Sequence, residues 1–185
     1  MTNLLKTHWK YILAGLAAPA LVILIGSKLK SKKTPNNMNN PYANLRAFLT
    51  MIQYSEGTYG QNAYRTLYGG QLFNGYSDHP NIAITKGGIT STAAGAYQIL
   101  HSTWEGVAQS LGLTDFSPLS QDRAAIELIS KRGALEDVLA GRFETAIDKC
   151  RKEWASFPGA GYGQGERSIA LLTQVYQKAG GQMAA

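Results

Sequence analysis

Residues 45–58 read Leu-Arg-Ala-Phe-Leu-Thr-Met-Ile-Gln-Tyr-Ser-Glu-Gly-Thr, and this stretch decides the fold. Leu45, Phe48, Leu49 and Ile52 recur at i, i+3, i+4 and i+7, one apolar face of a helix. Pro41 and a cap at Asn44 would open that helix, and Gly57 would close it. The closing turn, Tyr54-Ser55-Glu56-Gly57-Thr58, carries a single carboxylate. A helix C-terminus disfavours an anion. Desolvation beside aromatic rings raises a carboxyl pKa, which is what a general acid working near neutral pH requires. The plainer alternative is a glutamate that only solvates the helix end.

Working outward, the composition changes at Tyr59. From there to Thr90 the chain is rich in Tyr, Gly and Asn, with Gly69-Gly70, Asn74-Gly75 and Gly87-Gly88 as turn signals. This pattern predicts loops and about three short strands. Helical character then returns. Ser102-Thr103-Trp104-Glu105 has the form of a capping box. Ser117-Pro118 offers a cap followed by a first-turn proline, opening a helix to about Ser130. Ala134–Leu139 is a short helix. Phe143, Ile147, Cys150 and Trp154 form one apolar stripe, and Ile169, Leu172, Val175 and Tyr176 form another. The expected class is α+β: a helical lobe beside a small sheet-and-loop lobe, with a cleft between them.

The N-terminus is of another kind. Residues 1–40 hold six lysines and no acid, which leaves twelve basic and twelve acidic residues in 41–185. The net charge of +6 therefore belongs to the N-terminus, and a neutral domain argues against nucleic acid as a partner. Tyr11–Ser27 contains no charge and would span about 25 Å as a helix, slightly short of a ~30 Å hydrocarbon core. A cleaved signal peptide lacks its small-residue site after the apolar run, and a buried helix would not carry basic flanks. An uncleaved membrane anchor fits best, with lysines on both sides and Trp9 and Tyr11 at the interface. The expected division is an anchor at 1–27, a basic linker at 28–42 and a folded domain at 43–185, probing about 20 Å r.m.s. from the lipid through the Ser27–Asn40 tether.

Few residues offer other chemistry. One cysteine, Cys150, excludes an intramolecular disulfide, and its stripe marks it as a packing residue. His8, His79 and His101 show no metal-ligand spacing, so neither a metal nor any other cofactor is expected. Between Glu56 and Asp78 there is no acid, and a two-carboxylate glycosidase needs a second one. Asp78 is the near candidate, although Ser77-Asp78-His79-Pro80 reads more readily as a turn. Two loops suit a sugar. Thr90–Gln98 contains Ser91 and ends in Tyr97-Gln98, and Pro158–Gly165 has four glycines around Tyr162 and Gln164. Tyrosine can stack on a sugar ring while glutamine hydrogen-bonds hydroxyl and N-acetyl groups.

Taken in order, these segments resemble the phage lambda lysozyme family of endolysins, which are lytic transglycosylases. The likeness runs from about Leu45 to Gly181. It includes Ser55-Glu56-Gly57-Thr58, Tyr76-Ser77-Asp78-His79-Pro80, Gly95 with Tyr97-Gln98, Phe116-Ser117-Pro118, Trp154-Ala155-Ser156 and Pro158 to Gln164. It implies a lysozyme-like fold and one catalytic glutamate, at Glu56. Substrate contacts would fall to Tyr76, Ser91, Tyr97, Gln98, Tyr162 and Gln164, and the partner would be the glycan strands of peptidoglycan. A single carboxylate would suffice because the muramic acid's own 6-hydroxyl attacks C1, giving a 1,6-anhydro product without water.

Two features depart from that family. Ala93 and Ala96 stand where relatives carry Gly and Arg, and the membrane segment is an addition. The expected product is a monomeric catalytic domain tethered to the host inner membrane through residues 11–27 and facing the periplasm, or alternatively carried in a virion membrane. The positive-inside count leans the other way by four charges to three, a margin too small to decide orientation. Two rival readings are a hydrolytic muramidase using Glu56 with Asp78, and an inactive membrane-anchored peptidoglycan binder.

Overall fold

The computed structural model describes residues 41–163 and 165–184. The predicted anchor and linker through residue 40 lie outside the described residues, as does Gln164. Among the described residues no helix is long and apolar enough to cross a membrane.

Helix α1 (Pro41–Ser55) is the centre of the molecule. Its stripe is buried: Ala47, Phe48, Met51 and Ile52 expose nothing to solvent. Asn44 is not its cap. It lies buried inside the helix, donating from Nδ2 to Leu139 O (3.2 Å) and accepting from Gln182 N–H (2.8 Å), which pins the C-terminal tail. The asparagine is thus spent on tertiary contacts rather than on a cap.

A loop lobe follows, holding one 3-10 turn (Ala63–Arg65) and an antiparallel hairpin of β1 (Ile84–Lys86) and β2 (Ile89–Ser91). The register pairs Ile84 with Ser91 and Lys86 with Ile89 across Gly87-Gly88. Three strands were expected here. Two form, and the remaining pairing is isolated bridges, Thr66 with Leu72 and Leu67 with Ala94. The glycine turns between these pairs leave runs too short for a ladder.

The helical lobe comprises α2 (His101–Leu111), α3 (Pro118–Lys131), α4 (Leu135–Ala140), α5 (Phe143–Cys150) and α6 (Ile169–Lys178). The Ser117-Pro118 start is as expected: Ser117 Oγ accepts from Ser120 N–H. The capping box at Ser102 does not form, because α2 already begins at His101 and Leu100, without a side-chain cap, precedes it. Trp154 of the Phe143 stripe lies beyond the end of α5 but is buried all the same.

Helix α1 packs on α4 and α6, and α2 packs on α3. Phe48 meets Phe143 and Phe157 edge-on, with centroids 6.1 and 6.4 Å apart. A second aromatic group under the loop lobe sets Trp104 and His79 edge-on to Phe116, each with centroids 4.7 Å apart. Cys150 is buried as expected, and burial pushes its thiol up to about 12, so it is inert at neutral pH.

Because Phe48 bridges α1 to α5 and to the segment that carries Phe157, its truncation leaves a cavity at the molecule's centre. Phe48→Ala is expected to lower unfolding free energy by about 3–5 kcal/mol, read from urea midpoints at constant m.

Candidate active site

Glu56 sits on the C-cap of α1. Gly57 (φ 73°) takes the left-handed position that follows. Its N–H bonds Tyr54 O at 3.1 Å and the Thr58 N–H bonds Gln53 O at 2.9 Å, the paired closure of a Schellman motif. Thr58 Oγ1 then donates to Ala96 O (2.6 Å), tying this turn to the 93–98 segment. Position, backbone direction and surroundings of Glu56 are thus all fixed by the helix that carries the core.

Its carboxylate is held by a residue distant in sequence. Ser156 Oγ donates to Glu56 Oε1 at 2.6 Å, and Ser156 Oγ is itself hydrogen-bonded to Ser55 Oγ. With the Ser156 proton given to the carboxylate, Ser55 must donate to Ser156. When Glu56 is protonated the chain can reverse, so two hydroxyls accommodate both states of the acid. Arg167 braces the same corner: its N–H bonds Ser156 O at 2.8 Å and its Nε approaches Ser55 O at 3.5 Å. Burial raises the Glu56 pKa; the Ser156 contacts and the Arg167 charge pull it back, and burial wins. The C-terminal end of the α1 dipole acts in the same direction as burial.

The cleft runs past Glu56 in two parts that share Glu56, Tyr68, Ile89, Gln98 and Ala155. One part, of about 460 Å³, continues beneath Ser91, Arg132, Lys152 and Tyr162. The other, of about 720 Å³, continues past Gly69-Gly70 and the tip of the β1–β2 hairpin. Glu56 therefore stands where a long ligand would cross from one part to the other.

The expected substrate residues divide. Ser91, Gln98 and Tyr162 line the cleft. Gln98 commits its Nε2 to Thr66 O and Gly95 O, each at 3.0 Å, which leaves its amide oxygen as the group for a ligand. Tyr162 is half exposed, its ring capped by Lys152 Nζ at 5.4 Å. Tyr97 is not a surface contact. It is 1% exposed, donates to Asp122 Oδ1 at 2.6 Å and accepts the Trp154 indole N–H on its carbonyl at 3.1 Å. A tyrosine beside Gln98 looked like a ligand pair, but the turn at Gly95 sends the two side chains opposite ways. Gly95 is indispensable there, since a Cβ would lie 2.2 Å from Gln121 Oε1. Tyr76 packs against Phe73 and lines neither part of the cleft. Ala93 lines the cleft, whereas Ala96 is buried beneath it.

Asp78 is likewise outside the cleft lining. Its Oδ1 accepts from His79 N–H (2.7 Å) and from the Trp104 indole (3.2 Å), closing the turn. His79 completes that turn by accepting Asn81 N–H on Nδ1 (3.1 Å), which leaves Nε2 to donate to Ile99 O (2.9 Å). The other carboxylate that lines the cleft is Glu153, which Arg132 grips with two nitrogens at 2.8 and 2.9 Å. Sequence reasoning missed Tyr68, Arg167 and the Ser55–Ser156 pair as site residues. Tyr68-Gly69-Gly70 was the one visible signal for the first, while the others depend on a contact across about a hundred residues.

A helical lobe and a loop lobe flanking a cleft with one burial-tuned glutamate make a lysozyme-like enzyme. The family described as Endolysin matches residues 46–183. The endolysin of Escherichia phage P2 is 46% identical over 158 residues, covering 77% of this chain and 96% of the relative. The endolysin of Escherichia phage lambda is 44% identical over 143 residues, covering 74% and 90% respectively. The solved lambda lysozyme complexed with a chitohexasaccharide superposes with a TM-score of 0.73 at 41% identity, covering 81% of this chain and 99% of that one. The chain belongs to the endolysin family, phage enzymes that degrade peptidoglycan.

The raised pKa has a consequence for stability. A group whose folded pKa lies above its unfolded one contributes stability at low pH and loses it as pH rises through the folded pKa. Glu56→Gln, which keeps the shape without the charge, should therefore gain thermal stability over the parent at pH 8, and the gap should close at pH 4. Parallel melting curves at the two pH values measure it; an equal gap at both would show that burial does not burden the carboxylate.

Proposed function

We propose that the enzyme is a lytic transglycosylase acting on the bond between N-acetylmuramic acid and N-acetylglucosamine. The observation that carries this reading is that Glu56 is the one carboxylate lining the cleft, among the described residues, that no cation grips. Glu56, whose carboxyl pKa is raised by burial, gives its proton to the glycosidic oxygen as the C1–O bond breaks. The carboxylate left behind takes the proton of the same muramic acid's 6-hydroxyl while O6 bonds to C1. One C–O bond is broken and one is formed, and the acid is regenerated. The nucleophile is held by the sugar itself, so no second carboxylate is needed to position a water. The related lambda lysozyme complexed with a chitohexasaccharide supports a linear amino-sugar polymer as ligand.

Residues 11–27 would hold this domain on the periplasmic face of the host inner membrane, where its glycan lies, and contribute to lysis. Cell fractionation of the full chain before and after an uncoupler tests that placement and whether the anchor lets go.

Mass spectrometry of digested sacculi decides the chemistry. Muropeptides should end in 1,6-anhydromuramic acid, one water lighter than hydrolytic products; reducing ends as the main product would favour the muramidase reading. Glu56→Gln should cut the rate by about 10²–10⁴-fold. Asp78→Asn should cost far less, since its contacts serve the turn.

A further inference from the structure

The two parts of the cleft differ in how their charges are committed. In the narrower part, Arg132 is neutralised by Glu153, and Lys152 donates to Ala160 O at 2.6 Å while capping the Tyr162 ring. In the wider part the cations are Lys86 and Arg167, and Glu56 is the only acid among the lining residues. Arg167 is engaged with Ser55 and Ser156. Lys86 is exposed on the hairpin lip, and no described carboxylate pairs with it. Its aliphatic stem lies over Gly69, close enough that a Cβ there would come within 3.7 Å of Lys86 Cδ. Six glycines line this part, which removes side chains from its walls, and it is the larger of the two in volume.

A bare amino-sugar chain needs neither the width nor the cation, because its rings are narrow and uncharged. The muramic residues of peptidoglycan carry a lactyl-linked peptide, a bulky branch bearing carboxylates. We propose that the wider part of the cleft accommodates this branch and that Lys86 reads a peptide carboxylate, making the enzyme selective for acidic, peptide-substituted glycan. The inference rests on the glycan-cleaving reading above. An ammonium on an aliphatic stem, with three rotatable donors, suits carboxylates whose position varies with the peptide.

Native sacculi and the same sacculi with their carboxylates amidated by methylamine present equal bulk and different charge. The rate at which soluble muropeptides are released from each is the readout. The parent enzyme should favour native material about two- to fivefold, the range of an exposed charge pair. Raising the salt to 0.5 M should erase the preference, and so should Lys86→Met, which keeps the stem over Gly69. Lys86→Arg should retain it. If the parent cleaves both materials alike, or Lys86→Met keeps the preference, the role given to Lys86 is wrong while the glycan-cleaving reading stands. If neither material is cleaved, the glycan-cleaving reading falls and takes this one with it.

Discussion

Everything at the proposed catalytic centre depends on one helix end. The last turn of α1 is closed by Gly57 and Thr58, so Glu56 leaves the helix at a fixed angle, and the preceding turns are locked in the core by Phe48, Met51 and Ile52. A side chain on a loop would explore several rotamers and backbone states. One on a capped, buried helix explores few, and orienting it costs little at the moment of reaction. The same placement puts a carboxylate at the negative end of a helix and away from bulk water, which is unfavourable for its anion. That cost raises its pKa, and the Ser156 contacts and the Arg167 charge act against the rise.

Around this point the fold distributes tasks between its lobes. The helical lobe supplies the acid and, through the Cys150–Ser156 segment, the hydroxyl that steadies it. The loop lobe supplies Tyr68, Gln98 and the hairpin lip. Buried polar pairs hold the lobes together: Tyr97 and Tyr64 both donate to Asp122, and Trp154 donates to Tyr97 O. The loop after Phe157 is shaped by exposed contacts, with Glu166 accepting the N–H groups of Gly159 (2.8 Å) and Gly161 (2.7 Å). These contacts explain why several residues that look suited to a sugar are spent on architecture instead.

Periodicity and capping made most of the helical lobe legible. The α1 stripe, the Ser117-Pro118 start and the stripe of α6 all have local causes, and local causes are written locally. Glu56 was legible for the same reason, since an acid closing an apolar helix contradicts the macrodipole. What could not be read was direction. Tyr97 and Gln98 are neighbours in sequence, yet a turn at Gly95 sends one into the core and leaves the other in the cleft. Asn44 has the composition of a cap and the location of a core residue, because its partners, Leu139 and Gln182, are distant in sequence. Tyr76 failed likewise, through its packing on Phe73. The likeness to a known family supplied the cleft as a whole but could not say which of its matched residues face inward.

The hydroxyl pair that steadies the acid joins residues about a hundred positions apart, Ser55 and Ser156. No fragment of the domain can hold both. The chain up to Glu56 contains the acid but not its partner, and the partner arrives only after every intervening helix has been made. Contacts of such long sequence separation are formed late, because the loop entropy is lost before they repay it. Catalytic competence is therefore a property of the finished molecule: a nascent or partly denatured chain carries its glutamate as an ordinary solvated acid. For an enzyme that degrades peptidoglycan, this makes completed folding the step that switches the acid on.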